Sequence, residues 1–387
     1  MRSSLFRFGF VYLVLYHVPV FMPLWDALVP WVGAHVLGID GEIPNVETGS
    51  ADRRFDWVLL LCRLVIALVA AIVWSIAAPR ERYDERLRAG LRIGLRYALA
   101  FWMLGYGLHK LIPLQFGEPG VWRLVEPYGA SSPMGLLWTF MGHSPAYVMF
   151  TGFAETLGGA LLFARRTTTL GALVVVGVMA NVVMLNFCYD VPVKLFSTHL
   201  LVTALVLLAP DARRLLDLFV YQRPTAPAPL RPPFATPRAR RRWLVGKSLA
   251  IAVLVLVSVF DNVTTWIAVR ERDMAEPPVH RVTTSDETRW RHVVIVPEHE
   301  RLVAVRMNGE RVGYRCEVKE GGVFVLTALE GEGGGTLVET KVDDDHTLLT
   351  GELDGAQVEL ALRRVDASEF LLPTRGFHWV SETPFNR

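Results

Sequence analysis

Long apolar runs fill the first two thirds of the chain, and short alternating segments replace them after about residue 269. A helix that crosses a bilayer needs about 20 mostly apolar residues, because each residue rises about 1.5 Å through a core of about 30 Å. Seven stretches meet or approach this length: 5–25, 57–77, 91–113, 144–163, 170–187, 197–209, which a further apolar stretch at 215–221 can extend, and 243–269. The pattern predicts an α-helical membrane bundle of about seven transmembrane helices over residues 1–271.

Residues 279–387 have the pattern of a separate antiparallel all-β domain. Short β-branched runs alternate with turn residues, for example at 292–296, 302–307, 323–326, 337–342, 348–353 and 358–362. About seven or eight such strands predict a small lipocalin-like barrel, or a sandwich if the sheet does not close. We expect the interior to be filled by its own side chains; a ligand there is the alternative.

Turn signals support this meander. Asn308-Gly309 and Asp354-Gly355 are dipeptides that favour a turn with two positive φ angles, and glycines at 321–322 and 331–335 mark further turns. The end of the chain, 375–387, is rich in large aromatic side chains. We expect this tail to dock on the barrel or at the lipid surface.

Composition agrees with a membrane protein and excludes several classes. Hydrophobic residues make up 52% of the chain and charged residues 20%, with a mean hydropathy of +0.32. A net charge of +2 without a basic, aromatic-rich patch gives no reason to expect a nucleic acid partner. Cys62, Cys188 and Cys316 are far apart, so no disulfide framework or CxxC motif is expected. No metal site is predicted, because no two histidines have ligand spacing.

Arginine and lysine residues indicate the orientation, since short cytoplasmic loops carry the positive charge. Every second connection between the predicted spans is rich in arginine, at 80–96, 165–166 and 213–242, whereas the alternate connections carry little positive charge. This predicts a multi-pass protein of the bacterial inner membrane with a cytoplasmic N-terminus and an external or periplasmic β domain. The proline-rich stretch at 224–237 then reads as a stiff cytoplasmic linker.

Ionisable residues inside the spans are the candidate functional residues, because each costs about 2.5–3.5 kcal/mol to insert. In this orientation most of them lie in the outer leaflet or near the middle of the membrane. An external turn could close over the same place. The candidates are Arg63, His109, Lys110, Glu155, Asn181, Asn186 and His199 in the spans, with His17 as a packing residue, and Tyr189, Asp190 and Lys194 in the turn.

Glu155 is the first candidate for chemistry, with Lys110 as a second catalytic candidate. The carboxyl group of Glu155 could accept and release protons, or it could form a structural ion pair with Lys110, Arg63 or a histidine. Glycines 152, 158 and 159 on the same helix predict close approach of a neighbouring helix. His199 could bind a ligand or simply cap the start of its helix.

Residues 96–209 resemble the DoxX/MauE family of small membrane bundles. The likeness lies in Tyr106-Gly-Leu-His-Lys110, in the Gly-x-x-Glu-x-x-Gly-Gly element at 152–159, in Ala180-Asn181 and in residues 194–199. The DoxX-like core covers about 91–221, and the first two helices and the β domain lie outside the usual pattern. The resemblance implies a link to quinone or thiol redox chemistry, and the chain lacks a cysteine pair for thiol exchange.

Two functions follow as hypotheses. In the first, an outer-leaflet pocket binds an amphiphile such as an isoprenoid quinone, Glu155 handles protons, and Lys110, His109 and His199 contact quinone oxygens, in a redox role. In the second, the chain is a non-enzymatic scaffold or assembly factor whose β domain binds an external protein. The sequence leaves open which of the two holds. A transporter is disfavoured, because no inverted repeat is visible.

Overall fold

The structure is a computed structural model, and it describes residues 2–18, 22–46, 49–78, 84–226, 236–273, 279–283, 290–296, 300–306, 310–331, 333–370 and 372. Contacts divide the chain into two compact units, a helical unit of Met1–Ile112 with Met149–Val263 and a barrel unit of Pro113–Val148 with Thr264–Arg387. The sequence predicts one boundary near residue 271, with all residues before it in the helical domain. The contacts group residues 113–148 with the barrel, although these residues precede that boundary in the chain.

The helices follow the apolar runs. They are α1 (Arg2–His17), α2 (Met22–His35), α3 (Arg54–Ala77), α4 (Asp84–Leu111), α5 (Val121–Val125), α6 (Pro133–His143), α7 (Pro145–Phe163), α8 (Thr168–Cys188), α9 (Lys194–Leu208), α10 (Ala212–Phe219) and α11 (Pro237–Asp273). Short 3-10 turns lie at Tyr128–Ala130, Ala209–Asp211 and Ala367–Glu369.

Several of these helices are long and apolar enough to cross a membrane. Within the described ranges five meet this measure, or six if the bent pair α1–α2 is one span; the five are Arg54–Ala77, Pro145–Phe163, Thr168–Cys188, Lys194–Phe219 and Pro237–Arg270. The 26 residues of Lys194–Phe219 confirm that the short sixth run is extended by the next apolar stretch. The predicted third span, in α4, is not among them, because Arg92, Arg96 and Lys110 interrupt its apolar sequence.

The run 5–25, predicted as one membrane-crossing helix, contains parts of two helices. The structure has α1 ending at His17 and α2 beginning at Met22, and the two helices differ in direction by 104°. A proline at position 19 has no backbone N–H, and it disfavours the helical conformation of the residue before it. The apolar run is therefore continuous in composition and interrupted in backbone geometry.

The predicted close approach at the glycines of α7 is confirmed. A Cβ atom built on Gly152 would lie 2.7 Å from the carbonyl oxygen of Gly107 in α4, and one on Gly159 would lie 3.0 Å from that of Ala100. On the side of α8, a Cβ on Gly158 would lie 2.8 Å from Val175. Small residues thus let α4 and α8 pack directly on the backbone of α7.

The β domain is a closed eight-stranded antiparallel barrel, so the barrel alternative is confirmed over the sandwich. Each strand pairs with the next, and β1 closes the ring by pairing with β8. The strands are β1 (Val279–Val282), β2 (Trp290–Val296), β3 (Arg301–Arg306), β4 (Arg311–Lys319), β5 (Val323–Ala328), β6 (Gly334–Lys341), β7 (His346–Leu353) and β8 (Ala356–Arg364).

The barrel interior is filled by side chains of the strands, as expected. Large buried residues such as Trp290, Tyr314, Phe324 and Leu349 form one continuous cluster inside it. Of the predicted turns, Asp354-Gly355 has φ angles of 50° and 77°, which confirms the turn with two positive φ angles. Asn308-Gly309 and the aromatic tail at 375–387 lie outside the described residues.

Helix α5 covers part of the outer surface of the barrel. Its Val125 is buried together with Val279 of β1, Val294 of β2 and Val365, which follows β8. The adjoining carboxylate of Glu126 is bound by two arginines, Arg123 from the same segment and Arg311 from β4. These apolar and ionic contacts explain why residues 113–148 group with the barrel.

His292 makes the barrel unit sensitive to acid. Burial, together with the positive charges of Arg291 and Arg281, lowers the pKa of His292 from 6.5 to about 4. Between pH 6.5 and pH 4 the unfolded chain therefore binds a proton at this histidine that the folded chain does not bind. The stability of the fold consequently falls as the pH is lowered from about 6.5 toward 4. We expect a loss of about 2 kcal/mol between pH 7 and pH 5.

The acid effect is measured by hydrogen exchange in β1 and β2, corrected for the intrinsic pH dependence of exchange. His292→Gln serves as the control, because it keeps a polar side chain that does not titrate. The difference in opening free energy between pH 7 and pH 5 is expected to shrink by about 2 kcal/mol in this variant. An unchanged difference would assign the acid sensitivity to carboxylates instead.

Candidate functional site

A buried ion pair joins α4 to α7. Lys110 is 6% exposed and Glu155 is 3% exposed, and Nζ of Lys110 donates to Oε1 of Glu155. The other carboxylate oxygen, Oε2, has no hydrogen-bond partner among the described residues. Tyr106 lies one turn before Lys110 on α4 and interacts electrostatically with Glu155. Among the partners that the sequence left open for Glu155, the structure selects Lys110.

A second polar group lies between α1 and α9, around His199. Its Nδ1 is 2.6 Å from the carbonyl oxygen of Leu195, which can only accept, so this nitrogen carries a proton. In the neutral ring Nε2 then accepts from the hydroxyl group of Tyr12, at 2.5 Å. The ring of Tyr16 stacks on the imidazole with a centroid distance of 4.0 Å and an angle of 7°. His199 is therefore held in one tautomer and one orientation.

Arg63 of α3 brings a positive charge to this group. Its guanidinium carbon lies 5.0 Å from the centre of the Tyr16 ring and 5.7 Å from that of Trp25. Its Nε is buried and has no hydrogen-bond partner in the described part of the chain. Within the part of the chain that the structure describes, aromatic faces rather than a carboxylate thus hold the cation, and its Nε donor remains for a ligand.

Tyr106 lies near both groups. Its hydroxyl group is close enough to Tyr16 and to Glu155 for a charge on one of these side chains to affect the others. We call the resulting set the polar network, and its members are Tyr12, Tyr16, Arg63, Tyr106, Lys110, Glu155 and His199. The network draws on α1, α3, α4, α7 and α9, so the structure brings together four of the predicted residues: Arg63, Lys110, Glu155 and His199.

Three other predicted site residues lie outside the polar network. His109 is exposed, and its Nδ1 lies 2.6 Å from Oδ1 of Asn262 in α11. Asn186 is buried and donates to the hydroxyl group of Ser197 at 2.9 Å. Asn181 is exposed on α8. These contacts join neighbouring helices, and they do not add these residues to the polar network.

The predicted external turn fixes the beginning of α9. The carboxylate of Asp52 accepts from the backbone nitrogens of Lys194, at 2.7 Å, and of Leu195, at 2.9 Å. Nζ of Lys194 also bonds Asp190 at 2.9 Å. Because α9 begins at Lys194, the idea that His199 caps this helix is wrong; Asp52 satisfies the free N–H groups. Tyr189 follows α8, and its N–H donates to the last turn of that helix.

Comparison with known proteins finds a bacterial relative of this chain. A protein of Bacillus subtilis (strain 168) with the name "Uncharacterized protein YwoB" is 40% identical over 121 residues, which are 31% of this chain and 77% of that protein. The chain belongs to the YwoB family. No protein-family model and no solved structure matches it. The name YwoB states no activity, ligand or partner.

Sequence reasoning missed Tyr12, Tyr16 and Trp25 as members or neighbours of the polar network. The two tyrosines are four residues apart, and on a helix this spacing places both on one face. Aromatic residues are common in membrane helices, however, so the spacing has little weight without a polar partner. The partner, His199, lies 187 residues from Tyr12 in the chain. Only the fold brings them together.

Proposed function

We propose that this chain is an integral protein of the bacterial inner membrane whose helical unit binds the head group of an isoprenoid quinone or a similar amphiphile. The observation that carries the proposal is Arg63, a cation near the rings of both Tyr16 and Trp25 with a buried Nε that has no partner among the described residues. A buried donor without a partner is costly, and a ligand oxygen would satisfy it.

The residues of the polar network fit a quinone head group. A quinone presents two carbonyl oxygens on a flat ring, and it binds to hydrogen-bond donors beside aromatic faces. Arg63 supplies a donor, and the parallel rings of Tyr16 and His199 supply a flat surface. When bound, a quinone supplies the capacity to carry two electrons and two protons. The free Oε2 of Glu155 is a base that can hold a proton within the same network.

The orientation belongs to the same proposal. Arginine-rich connections assign residues 113–144 and the β domain to the external side. The grouping of 113–148 with the barrel supports this assignment, because two segments packed in one compact unit lie on the same side of a membrane. The resemblance of residues 91–221 to DoxX-type membrane bundles also supports a membrane location. In this proposal α4 crosses the membrane in spite of its arginines.

The test measures quinone retention. Wild type, Arg63→Gln and His199→Gln are expressed in a bacterial host and purified in mild detergent, and the extracted lipids are assayed by mass spectrometry and by ultraviolet redox difference spectra. We expect near-stoichiometric quinone with the wild type and at least a tenfold loss in Arg63→Gln, because a hydrogen bond to a charged group contributes about 1.5–3 kcal/mol. The matched control is Arg54→Gln, which removes an exposed arginine at the start of the same helix.

The outcomes separate the hypotheses. Quinone that is lost in Arg63→Gln but kept in Arg54→Gln supports the proposal. A well-folded wild type that retains no quinone contradicts it and favours the scaffold hypothesis. The scaffold hypothesis has its own observation: Lys110 and Glu155 neutralise each other, and the barrel interior is filled, so the barrel can bind a partner only through its outer surface.

A further inference from the structure

The barrel unit contains a cleft that the quinone proposal does not use. Its volume is about 610 Å³, within the range of about 300–1,000 Å³ typical of small-molecule sites. The cleft lies between the segment that follows α5 and strands β1 and β2. It is lined by Leu124, Val125, Glu126, Pro127, Arg281, Val282, Arg291, His292 and Phe370.

Two arginines give the cleft its charge. Arg281 of β1 lies 3.7 Å from Glu369, but that carboxylate bonds Arg363 more closely, at 2.6 Å. Arg291 of β2 is exposed and forms no ion pair with a carboxylate of the described residues. Among the described residues, the charge of Arg281 is thus only partly balanced and that of Arg291 has no carboxylate to balance it, and both guanidinium groups can bind an anion.

His292 follows Arg291 in β2 and is nearly inaccessible to solvent. It is 4% exposed and stands directly opposite Arg281 in the pairing of β1 with β2. Its Nδ1 is buried and has no hydrogen-bond partner in the described ranges. Its lowered pKa keeps the ring neutral at pH 7, so the ring offers one N–H donor without a charge. The side chain of His292 lines the cleft, and a buried polar nitrogen without a partner in such a side chain is a place where a ligand atom can bond.

Glu126 is the carboxylate that lines the cleft, and its charge is already compensated. Arg123 and Arg311 both bond it, and its side chain is 4% exposed. The described side chains that line the cleft therefore carry a net positive charge. Leu124, Val125 and Phe370 contribute apolar surface to the lining of the cleft. A ligand that matches both features has an anionic end and an apolar end.

We propose that this cleft binds a phosphate monoester attached to an apolar group. A phosphate monoester presents three terminal oxygens, whereas a carboxylate presents two. Two guanidinium groups and a neighbouring N–H donor can therefore bond more of the oxygens of a phosphate than of a carboxylate. The ligand has two conceivable sources with this chemistry, a soluble phosphorylated molecule or the head group of a lipid such as phosphatidate. This site is independent of the polar network, and the failure of one proposal leaves the other intact.

The test titrates phenyl phosphate into the purified full chain in a neutral maltoside detergent and follows the heat of binding. We expect saturable binding to one site and a tenfold or greater loss of affinity in Arg291→Gln and in Arg281→Gln, since each removes charge-assisted hydrogen bonds. His292→Phe is expected to weaken binding several-fold. The matched control is Arg301→Gln, which removes an exposed arginine of β3 that does not line the cleft and is expected to leave affinity unchanged.

Two further titrations identify the source and the chemistry. Micelles doped with phosphatidate should displace phenyl phosphate if the ligand is a lipid head group, whereas micelles doped with phosphatidylcholine should not. A soluble ligand gives phenyl phosphate binding without displacement by phosphatidate. Benzoate binding as tightly as phenyl phosphate would overturn the choice of phosphate. No saturable binding of phenyl phosphate or phosphatidate, or equal losses in Arg291→Gln and Arg301→Gln, would overturn the site itself.

Discussion

Replacing Glu155 with leucine is expected to destabilise the helical unit by about 3–5 kcal/mol, because it leaves the ammonium group of Lys110 buried without its counter-ion. Lys110 is only 6% exposed and bonds Glu155 directly. The double variant Lys110→Met/Glu155→Leu removes both charges and is expected to recover most of the loss. The measurement is thermal unfolding in detergent for both single variants and the double variant, as a double-mutant cycle.

Glu85→Leu is the matched control, since it removes an exposed carboxylate in the first turn of α4. We expect this change to alter stability by less than about 0.5 kcal/mol. A double variant that is no more stable than Glu155→Leu would show that the two charges do not depend on each other. The prediction also affects functional work: loss of quinone in any variant of Glu155 is informative only in protein shown to be folded.

Replacing Gly152 with leucine is the second change with a large expected effect. A Cβ at this position would lie 2.7 Å from the carbonyl oxygen of Gly107 and 2.8 Å from the backbone nitrogen of Leu111. These atoms belong to the backbone of α4 and cannot move aside, so the two helices must separate. We expect a loss of about 3 kcal/mol or more, measured as a shift of the unfolding transition.

The control for this change is Gly177→Leu in α8, where a Cβ meets no described atom within 4 Å. This variant is expected to unfold as the wild type does, or slightly later, because leucine has a higher helix propensity than glycine. Equal losses in Gly152→Leu and Gly177→Leu would mean that the close approach of α4 and α7 contributes little. Separation of these helices would also pull Lys110 away from Glu155, so Gly152→Leu should disturb the polar network.

Most of the secondary structure could be predicted from the sequence, and the exceptions have specific causes. Six of the strands correspond to runs named from the sequence, whereas β1 and β4 were not named. The sequence of β4, Arg311–Lys319, carries charges and a glycine among its apolar residues. Only Tyr314 and Cys316 of β4 are buried in the barrel, which is too short an alternation to stand out.

The site could be predicted in its members but not in its arrangement. Arg63, Lys110, Glu155 and His199 were identified because charge is rare in apolar runs. Their partners were not, because Lys110 bonds a residue 45 positions away and Tyr12 one 187 positions away. Periodicity reports which face of one helix is polar. It does not report which face of another helix meets it.

The sequence by itself determined the division into apolar helices and a β domain, since hydrophobic spacing is a local property of the chain. It also determined the turn at Asp354-Gly355, where the residue types suit positive φ angles. The tertiary structure alone decided that β1 pairs with β8, that residues 113–148 group with the barrel, and that Arg281, Arg291 and His292 line one cleft. These features depend on contacts between distant segments, whose free energy comes from packing and burial in the complete fold.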